Sequence, residues 1–450
     1  MAKSKQKFIC QNCEAVFYKW AGRCENCGEW NSLVEQTLPE MGRSAVARSI
    51  NNGKPLQVNS LNSIPFEEGM KRLKTGIGDL DIILGGGILP GGVTLLAGQP
   101  GIGKSTLLLQ TVSNIAHNYD VLYISGEESA GQVRLRAARL GADKSSNLNF
   151  AASTSADDIA ATIRTGKYQL VVVDSVQTLH LNEITSSPGS VSQITNSSNV
   201  IINAAKETGT SVIFVGHVTK EGSIAGPKIL EHLVDVVLQF EGDRYGGFKI
   251  VRAVKNRYGS TNEAAIFEMG EKGLRIVENP SAALLAERRD EDGSVVLATL
   301  EGARPLLVEI QALVNSTNFG YPKRTASGFD INRLNLLIAV LERRTKLKLS
   351  DKDIYINVVG GIKISDPAAD LAICMAIASA SAGRRLNYGT VVFGEVGLGG
   401  EVRSVTSIEK RIAEAKKLGF TKALAPITIK DDFIIGVDNV RSTLIEYLQK

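Results

Sequence analysis

An α/β fold is what this sequence predicts, in three successive parts: a small metal-held ribbon, a parallel-sheet core and an α+β C-terminal region. Three observations carry that prediction. Four of the five cysteines fall within the first 27 residues. An apolar strand, a glycine-rich loop and a helix-forming run follow one another from Val93 to Val112. From about 66 to 275, apolar strand patterns alternate with helical ones, as in a sheet covered by helices. At roughly 150 residues per domain, 450 residues also call for about three domains.

Composition narrows the classes. Hydrophobic residues make up 43% of the chain and charged residues 22%, a globular balance that excludes a wholly disordered, collagenous or membrane-embedded protein. Lys and Arg number 51 against 47 Asp and Glu, a net +4, so overall charge names no nucleic-acid partner. The start, Met1-Ala-Lys-Ser-Lys-Gln-Lys-Phe-Ile-Cys10, is basic but lacks the apolar core of a signal peptide, and no run reaches the ~18 apolar residues of a membrane span. A cytoplasmic location with no membrane partner is the expectation.

The ribbon comes first, over residues 1–35. Cys10-Gln-Asn-Cys13 and Cys24-Glu-Asn-Cys27 are two CxxC knuckles separated by ten residues. Each sets two thiolates one coordination sphere apart, and together they close a tetrahedral site that suits structural Zn²⁺, with no open position for chemistry. Two disulfides are the other reading, disfavoured in a reducing compartment. So short a segment cannot bury enough apolar surface to fold alone, and metal binding would supply its folding free energy. Phe17, Tyr18, Trp20 and Trp30 are expected to pack around the ribbon. Residues 36–65, with Pro39, Gly42, Gly53, Pro55 and Pro65 among Ser and Asn, read as a linker.

The core, expected over 66–275, holds the clearest chemistry. Gly98-Gln99-Pro100-Gly101-Ile102-Gly103-Lys104-Ser105-Thr106 fits GxxxxGK[ST], with the strand Val93-Thr-Leu-Leu-Ala97 before it and the helical run Leu107–Val112 after it. In this Walker A loop, glycines let backbone N–H groups wrap phosphates and the helix N-terminus adds its dipole. Lys104 reaches the β and γ oxygens, and Ser105 ligates Mg²⁺. ATP and Mg²⁺ are the cofactors implied. A dinucleotide fingerprint fits worse, because Thr106 stands at its third glycine.

Three more apolar strands end in polar groups. Tyr168-Gln-Leu-Val-Val-Val-Asp174 presents Asp174 to the Mg²⁺ water shell. Val121-Leu-Tyr-Ile-Ser-Gly-Glu127-Glu128 places a carboxylate beside the γ-phosphate position, where Glu127 is the candidate base for attacking water; either glutamate also reads as an ordinary helix-start acid. Ser211-Val-Ile-Phe-Val-Gly-His217 ends in a histidine that senses phosphate or simply satisfies a structural bond. At Phe248-Lys-Ile-Val-Arg-Ala-Val254 and beyond, Lys255 and Arg257 sit at i and i+2, on one side of a continuing strand. They read as a solvated strand end or as cations for transition-state phosphate charge.

In order and content these motifs resemble the RecA-type ATPases, and more closely the bacterial RadA (Sms) family. That family joins a four-Cys zinc finger, a RecA-like P-loop ATPase with a Lys-Asn-Arg-Phe-Gly signature and a C-terminal domain similar to Lon protease. The signature here is Lys255-Asn-Arg-Tyr-Gly-Ser260, with Tyr258 for the usual Phe. The resemblance implies that Lys255 and Arg257 reach the nucleotide of a neighbouring subunit in a homo-oligomeric ring, a hexamer, and it favours catalytic roles for Glu127 and His217. It also implies that the polar stretches His180–Ser190 and Thr219–Lys228 line a channel gripping single-stranded DNA, with Lys220 and Lys228 on phosphates; polarity alone marks them only as surface turns.

Residues 280–450 resemble the Lon protease domain, with two departures. In Gly361-Ile-Lys-Ile-Ser-Asp-Pro-Ala-Ala-Asp370, Ala368 stands at the catalytic Ser, and Glu409 falls at the catalytic Lys. Without alkoxide or amine base, the domain reads as a non-proteolytic scaffold. Cys374, in an apolar run, reads as a small buried hydrophobe. From 321 to 348, Lys323, Arg324, Arg333, Arg343, Arg344, Lys346 and Lys348 oppose Asp330 and Glu342, a local +5. This is either a duplex-DNA surface or a solvated face with intersubunit ion pairs.

The function this implies is a DNA-dependent ATPase, helicase-like, in homologous recombination and repair. It would translocate on single-stranded DNA to promote branch migration and D-loop extension, with branched DNA and a RecA-type recombinase as partners. The alternative is an ATP-dependent ring acting as a switch or scaffold without translocation.

Overall fold

In a computed structural model of the chain, residues 7–10, 15–17, 19–30, 32–36, 60, 71–217, 229–242, 247–317, 320–427 and 431–448 are described. Strands β1 (Lys7–Cys10), β2 (Val16–Phe17) and β3 (Leu33–Gln36) form an antiparallel sheet in the order β2-β1-β3, within a unit spanning Met1–Glu68. Its core is Cys10, Cys24 and Leu33, with Phe8, Phe17 and two alanines packed on it. The two tryptophans depart from the expected packing: Trp20 is 61% exposed and Trp30 68%, with the Arg23 guanidinium over the Trp30 ring. Cysteines, Leu33 and two phenylalanines already fill so small an interior, leaving the indoles outside. Tyr18 and the expected linker, apart from residues 36 and 60, lie outside the described residues.

Residues Gly69–Lys450 make the second compact unit. After α1 (Gly78–Ile83) come β4 (Val93–Gly98), α2 (Lys104–Ile115), β5 (Val121–Ser125), α3 (Ala130–Leu140), β6 (Leu148–Ala152), α4 (Ala156–Arg164) and β7 (Leu170–Asp174). Then follow α5 (Val191–Thr208), β8 (Ser211–His217), α6 (Ile229–Leu233), β9 (Val236–Gly242), β10 (Phe248–Asn256), β11 (Ala264–Gly270) and β12 (Gly273–Ile276). The nine strands order as β12-β11-β10-β9-β4-β8-β7-β5-β6. From β6 to β9 every pairing is parallel, and β10 to β12 continue antiparallel. Strands β4, β5 and β7 are buried throughout, as parallel strands covered on both faces must be. One apolar cluster packs α1 and α2 on one face, and another packs α4 and α5 on the other.

The C-terminal half begins with α7 (Pro280–Leu285), β13 (Ser294–Glu301), β14 (Arg304–Ser316), β15 (Arg324–Ser327), α8 (Ile331–Thr345), β16 (Lys352–Val358) and α9 (Ala369–Ala382). It ends with β17 (Thr390–Val392), the hairpin β18 (Glu395–Val396) and β19 (Val402–Arg403), α10 (Ile408–Lys417), β20 (Lys422–Pro426), β21 (Ile434–Val437) and α11 (Val440–Tyr447). Its main sheet is β15-β16-β14-β13-β17-β20-β21. Period-two alternation joins the halves: Val251, Ala265 and Phe267 enter the nucleotide-side core, while Ile250 and Ile266 on the same strands enter the C-terminal core. Ion pairs Arg304–Asp79 at 2.8 Å and Arg252–Glu301 at 2.9 Å reinforce the junction. No helix among the described residues is long and apolar enough to cross a membrane.

Candidate nucleotide site and associated surfaces

Parallel strands deliver their C-terminal ends to one edge, and the loop from Gly98 to Gly103 leaves that edge to start α2 at Lys104. Two of its glycines are there for space. A Cβ on Gly98 would stand 2.6 Å from the Phe240 carbonyl oxygen, and Gly103 has φ +117 with the Met269 methyl 3.0 Å from where its Cβ would be. The buried Lys104 ammonium donates to the carbonyls of Gly98 at 2.9 Å and Gln99 at 3.0 Å, with His217 Nδ1 at 3.2 Å. Burial lowers its pKa to about 8, against the opposing charges of Asp174 and Glu127.

Asp174 is gripped by hydroxyls. Ser105 Oγ donates to its Oδ2 at 2.7 Å and the Tyr123 phenol to the same oxygen at 2.5 Å. Burial, then the Asp174 charge, pushes the Tyr123 pKa well above the ordinary phenol value. A serine hydroxyl beside a carboxylate at a helix N-terminus is a hard-oxygen donor set that fits Mg²⁺.

Glu127, just past β5, gathers two partners on one oxygen: Ser175 Oγ donates to Oε1 at 2.5 Å, and His217 Nε2 lies 3.3 Å from it. With Lys104 donating to Nδ1, one neutral tautomer, protonated at Nε2, satisfies both sides of His217. The His217 bond, joined by the Ser175 bond and opposed by burial, holds the Glu127 pKa down at about 2. The carboxylate is therefore ionised and weakly basic as it stands. Its basicity would rise only with these bonds loosened. Glu128 instead pairs with Arg136 at 2.5 Å.

Lys255 and Arg257 lie at the opposite sheet edge. Lys255 pairs with Val237, and Asn256 with Val236, which is level with Thr94 near the start of β4. Val93 and Gly98 are five positions apart, or about 16 Å along the strand. The Lys255 ammonium donates to the carbonyls of Glu231 at 2.6 Å and Val234 at 2.8 Å. Arg257 pairs with Asp235 at 2.9 Å.

The stretch His180–Ser190 is clamped. The buried Gln193 amide accepts from Leu181 N at 2.9 Å and donates to the carbonyls of Leu181, Ile184 and Ser186 at 3.0 to 3.3 Å. Lys220 and Lys228 lie outside the described residues.

In the ribbon, the sulfurs of Cys10, Cys24 and Cys27 lie within 4.8 Å of one another, Cys10 and Cys27 at 3.6 Å. Sulfurs on a tetrahedral ion with ~2.3 Å bonds stand about 3.8 Å apart, and a disulfide about 2.05 Å, so the donor set fits a metal. Cys13 lies outside the described residues.

In the C-terminal half Ala368 is 0% exposed, at the start of α9, whereas Glu409 is exposed. The buried cation there is Arg411, which pairs with Asp366 at 2.7 Å and donates to the Ala298 carbonyl at 2.7 Å. Cys374 is fully buried, and burial raises its pKa. Lys323, Arg343, Arg344, Lys346 and Lys348 are exposed and Arg324 half-buried, but Arg333 is committed to buried Asp370. Sequence reasoning missed Tyr123, Ser175 and Asp235, polar residues in or beside apolar runs, and Gln193 and Arg411, which sit among other polar residues on helices, and none of the five carries a spacing signal.

Three family models match in chain order: Rubredoxin metal binding domain over residues 8–35, AAA domain over 69–223 and Subunit ChlI of Mg-chelatase over 334–429. DNA repair protein RadA of Bacillus subtilis is 48% identical over 457 aligned positions, covering 99% of both chains. The chain belongs to the RadA family of DNA repair proteins. Two further RadA proteins, from Pseudomonas aeruginosa and Halalkalibacterium halodurans, are each 46% identical, covering 95% and 99% of this chain and 94% and 99% of their own. As in the RadA family, a metal ribbon, an ATP-hydrolysing RecA-like core and a Lon-like C-terminal domain follow one another here.

Proposed function

We propose that this RadA-family protein is a DNA-dependent ATPase that moves along single-stranded DNA and drives branch migration and D-loop extension of recombination intermediates. One observation carries the reading: Glu127 Oε1 is bonded both by Ser175, next after the strand that ends at Asp174, and by His217, the last residue of its strand, and in the sequence the two polar stretches follow these strands, His180–Ser190 after a short turn over Val176–Thr178. In this reading a strand held by those stretches acts on the carboxylate through these two bonds and so regulates hydrolysis.

In this reading backbone N–H groups of Gly98–Thr106 cradle the phosphates and Lys104 exchanges its carbonyl partners for phosphate oxygens. Ser105 and Asp174 hold Mg²⁺, which supplies charge neutralisation when bound. Glu127 orients water and, released from Ser175 and His217, accepts its proton. Lys255 and Arg257, at the far edge from their own P-loop, serve the next chain's nucleotide, which calls for a ring such as a hexamer. Cys10, Cys13, Cys24 and Cys27 hold Zn²⁺. Lys220 and Lys228 contact the strand, and the exposed cations Lys323, Arg343, Arg344, Lys346 and Lys348 with half-buried Arg324 meet duplex arms of branched DNA. A RecA-type recombinase is the partner and the cytoplasm the compartment. The test is strand displacement on forked DNA with both polarities offered: ATP-dependent unwinding of one polarity is expected, and ATP turnover without displacement of either supports a non-translocating switch.

A further inference from the structure

We infer that Asp235 is the positioning residue for Arg257, holding its guanidinium at the chain's outer edge for the neighbouring chain's nucleotide. This rests on the trans role proposed above. Asp235 is only 5% exposed, and each of its polar groups is occupied. Its Oδ1 accepts from Arg257 at 2.9 Å and its Oδ2 from the Val93 N–H at 3.0 Å. Its own N–H donates to the Val93 carbonyl at 2.9 Å, and its carbonyl accepts from the Arg257 N–H at 3.1 Å. Arg257 is thus bound by backbone and side chain to Asp235, which is bound in the same two ways to Val93, the first residue of the strand leading into the P-loop, while 52% of the Arg257 side chain stays exposed. Lys255 donates to the carbonyls of Glu231 and Val234, so both cations converge on the segment ending at Asp235.

The energetics favour this assignment. A lone surface arginine loses about 2 kcal/mol of rotamer entropy when fixed on a ligand, whereas one already held by a buried carboxylate has lost most of it before the neighbour arrives. Preorganised charge of that kind stabilises a transition state without reorganisation at the moment of reaction. One carboxylate oxygen orients the guanidinium and the other anchors the carboxylate itself.

The competing role, support of the chain's own P-loop strand through Val93, acts on the other active site, and mixing separates the two. Full-length Asp235→Asn, Lys104→Ala and Arg257→Ala chains are assayed for ATP turnover alone and in pairs, with folding of each checked by thermal unfolding. Asp235→Asn should lower kcat at least about tenfold with KM for ATP nearly unchanged, as loss of a transition-state contact does. Mixed with Lys104→Ala it should regain activity, because intact P-loops then meet intact arginines; mixed with Arg257→Ala it should not. Rescue by Arg257→Ala in place of Lys104→Ala, failure of both mixtures, or an unchanged kcat overturns the inference. The Lys104→Ala and Arg257→Ala pair is the control: if it gives no rescue, the trans reading itself falls, and if it does while the Asp235 pattern fails, only the present inference falls. Asp235→Glu, which keeps the charge but displaces the guanidinium, should give the same pattern more mildly and serves where the Asn variant does not fold.

Discussion

At the scale of single residues, the site is a chain of hydrogen bonds from Lys104 through His217 to Glu127 and Ser175. Lys104 links it to pH. Its folded pKa, about 8, lies below the ordinary 10.5, so between those values the unfolded chain binds more protons and this group's contribution to stability rises with pH. Phosphates favour the ammonium, so ATP affinity should hold steady below about pH 7 and weaken above about 8, by at most tenfold per unit. Titration calorimetry from pH 7 to 9.5 checks this: the wild type should show that limb, and Lys104→Arg, always charged, should lack it. Lys104→Ala should abolish turnover. Glu127→Gln should keep ATP binding while phosphate release falls about 10²–10⁴-fold, the range for a lost general base; near-normal release would remove Glu127 from the mechanism.

At the scale of elements, strands and loop were legible because their residues obey a period or a spacing. The expected strand to Asp174 runs as β7, the strand Ser211–His217 as β8, and the helix after the P-loop as α2 from Lys104 itself. The partners of the site were not legible. Ser175, Tyr123 and Asp235 belong to apolar runs whose burial is apparent, but which carboxylate or cation each meets depends on strand order, and β8 stands between β4 and β7. The exposed tryptophans were misplaced for a related reason, since composition does not reveal how little interior a three-stranded ribbon has. The ribbon should hold one Zn²⁺ per chain, and metal analysis below about half an equivalent would contradict a closed four-sulfur site. The clamp on 180–190 predicts that Gln193→Leu speeds amide exchange at Leu181, having removed a bond worth about 1 kcal/mol; unchanged protection there would show that the loop is held by other means.

At the scale of the whole molecule, two α/β halves share strands β10 and β11 as a common wall, with alternate residues packed into each core. That half should have no peptidase activity, and Ala368→Ser should not create it, because position 368 is fully buried and Glu409 supplies no amine. A cleavage assay on an unfolded protein substrate checks both chains, with ATP-dependent products from either as the contrary result. The central claim is that DNA held by the loops controls the carboxylate at the nucleotide. ATP hydrolysis by the full-length protein, measured with and without single-stranded DNA at saturating ATP, tests it most directly: turnover should rise several-fold with DNA, and identical rates in its presence and absence would contradict the account.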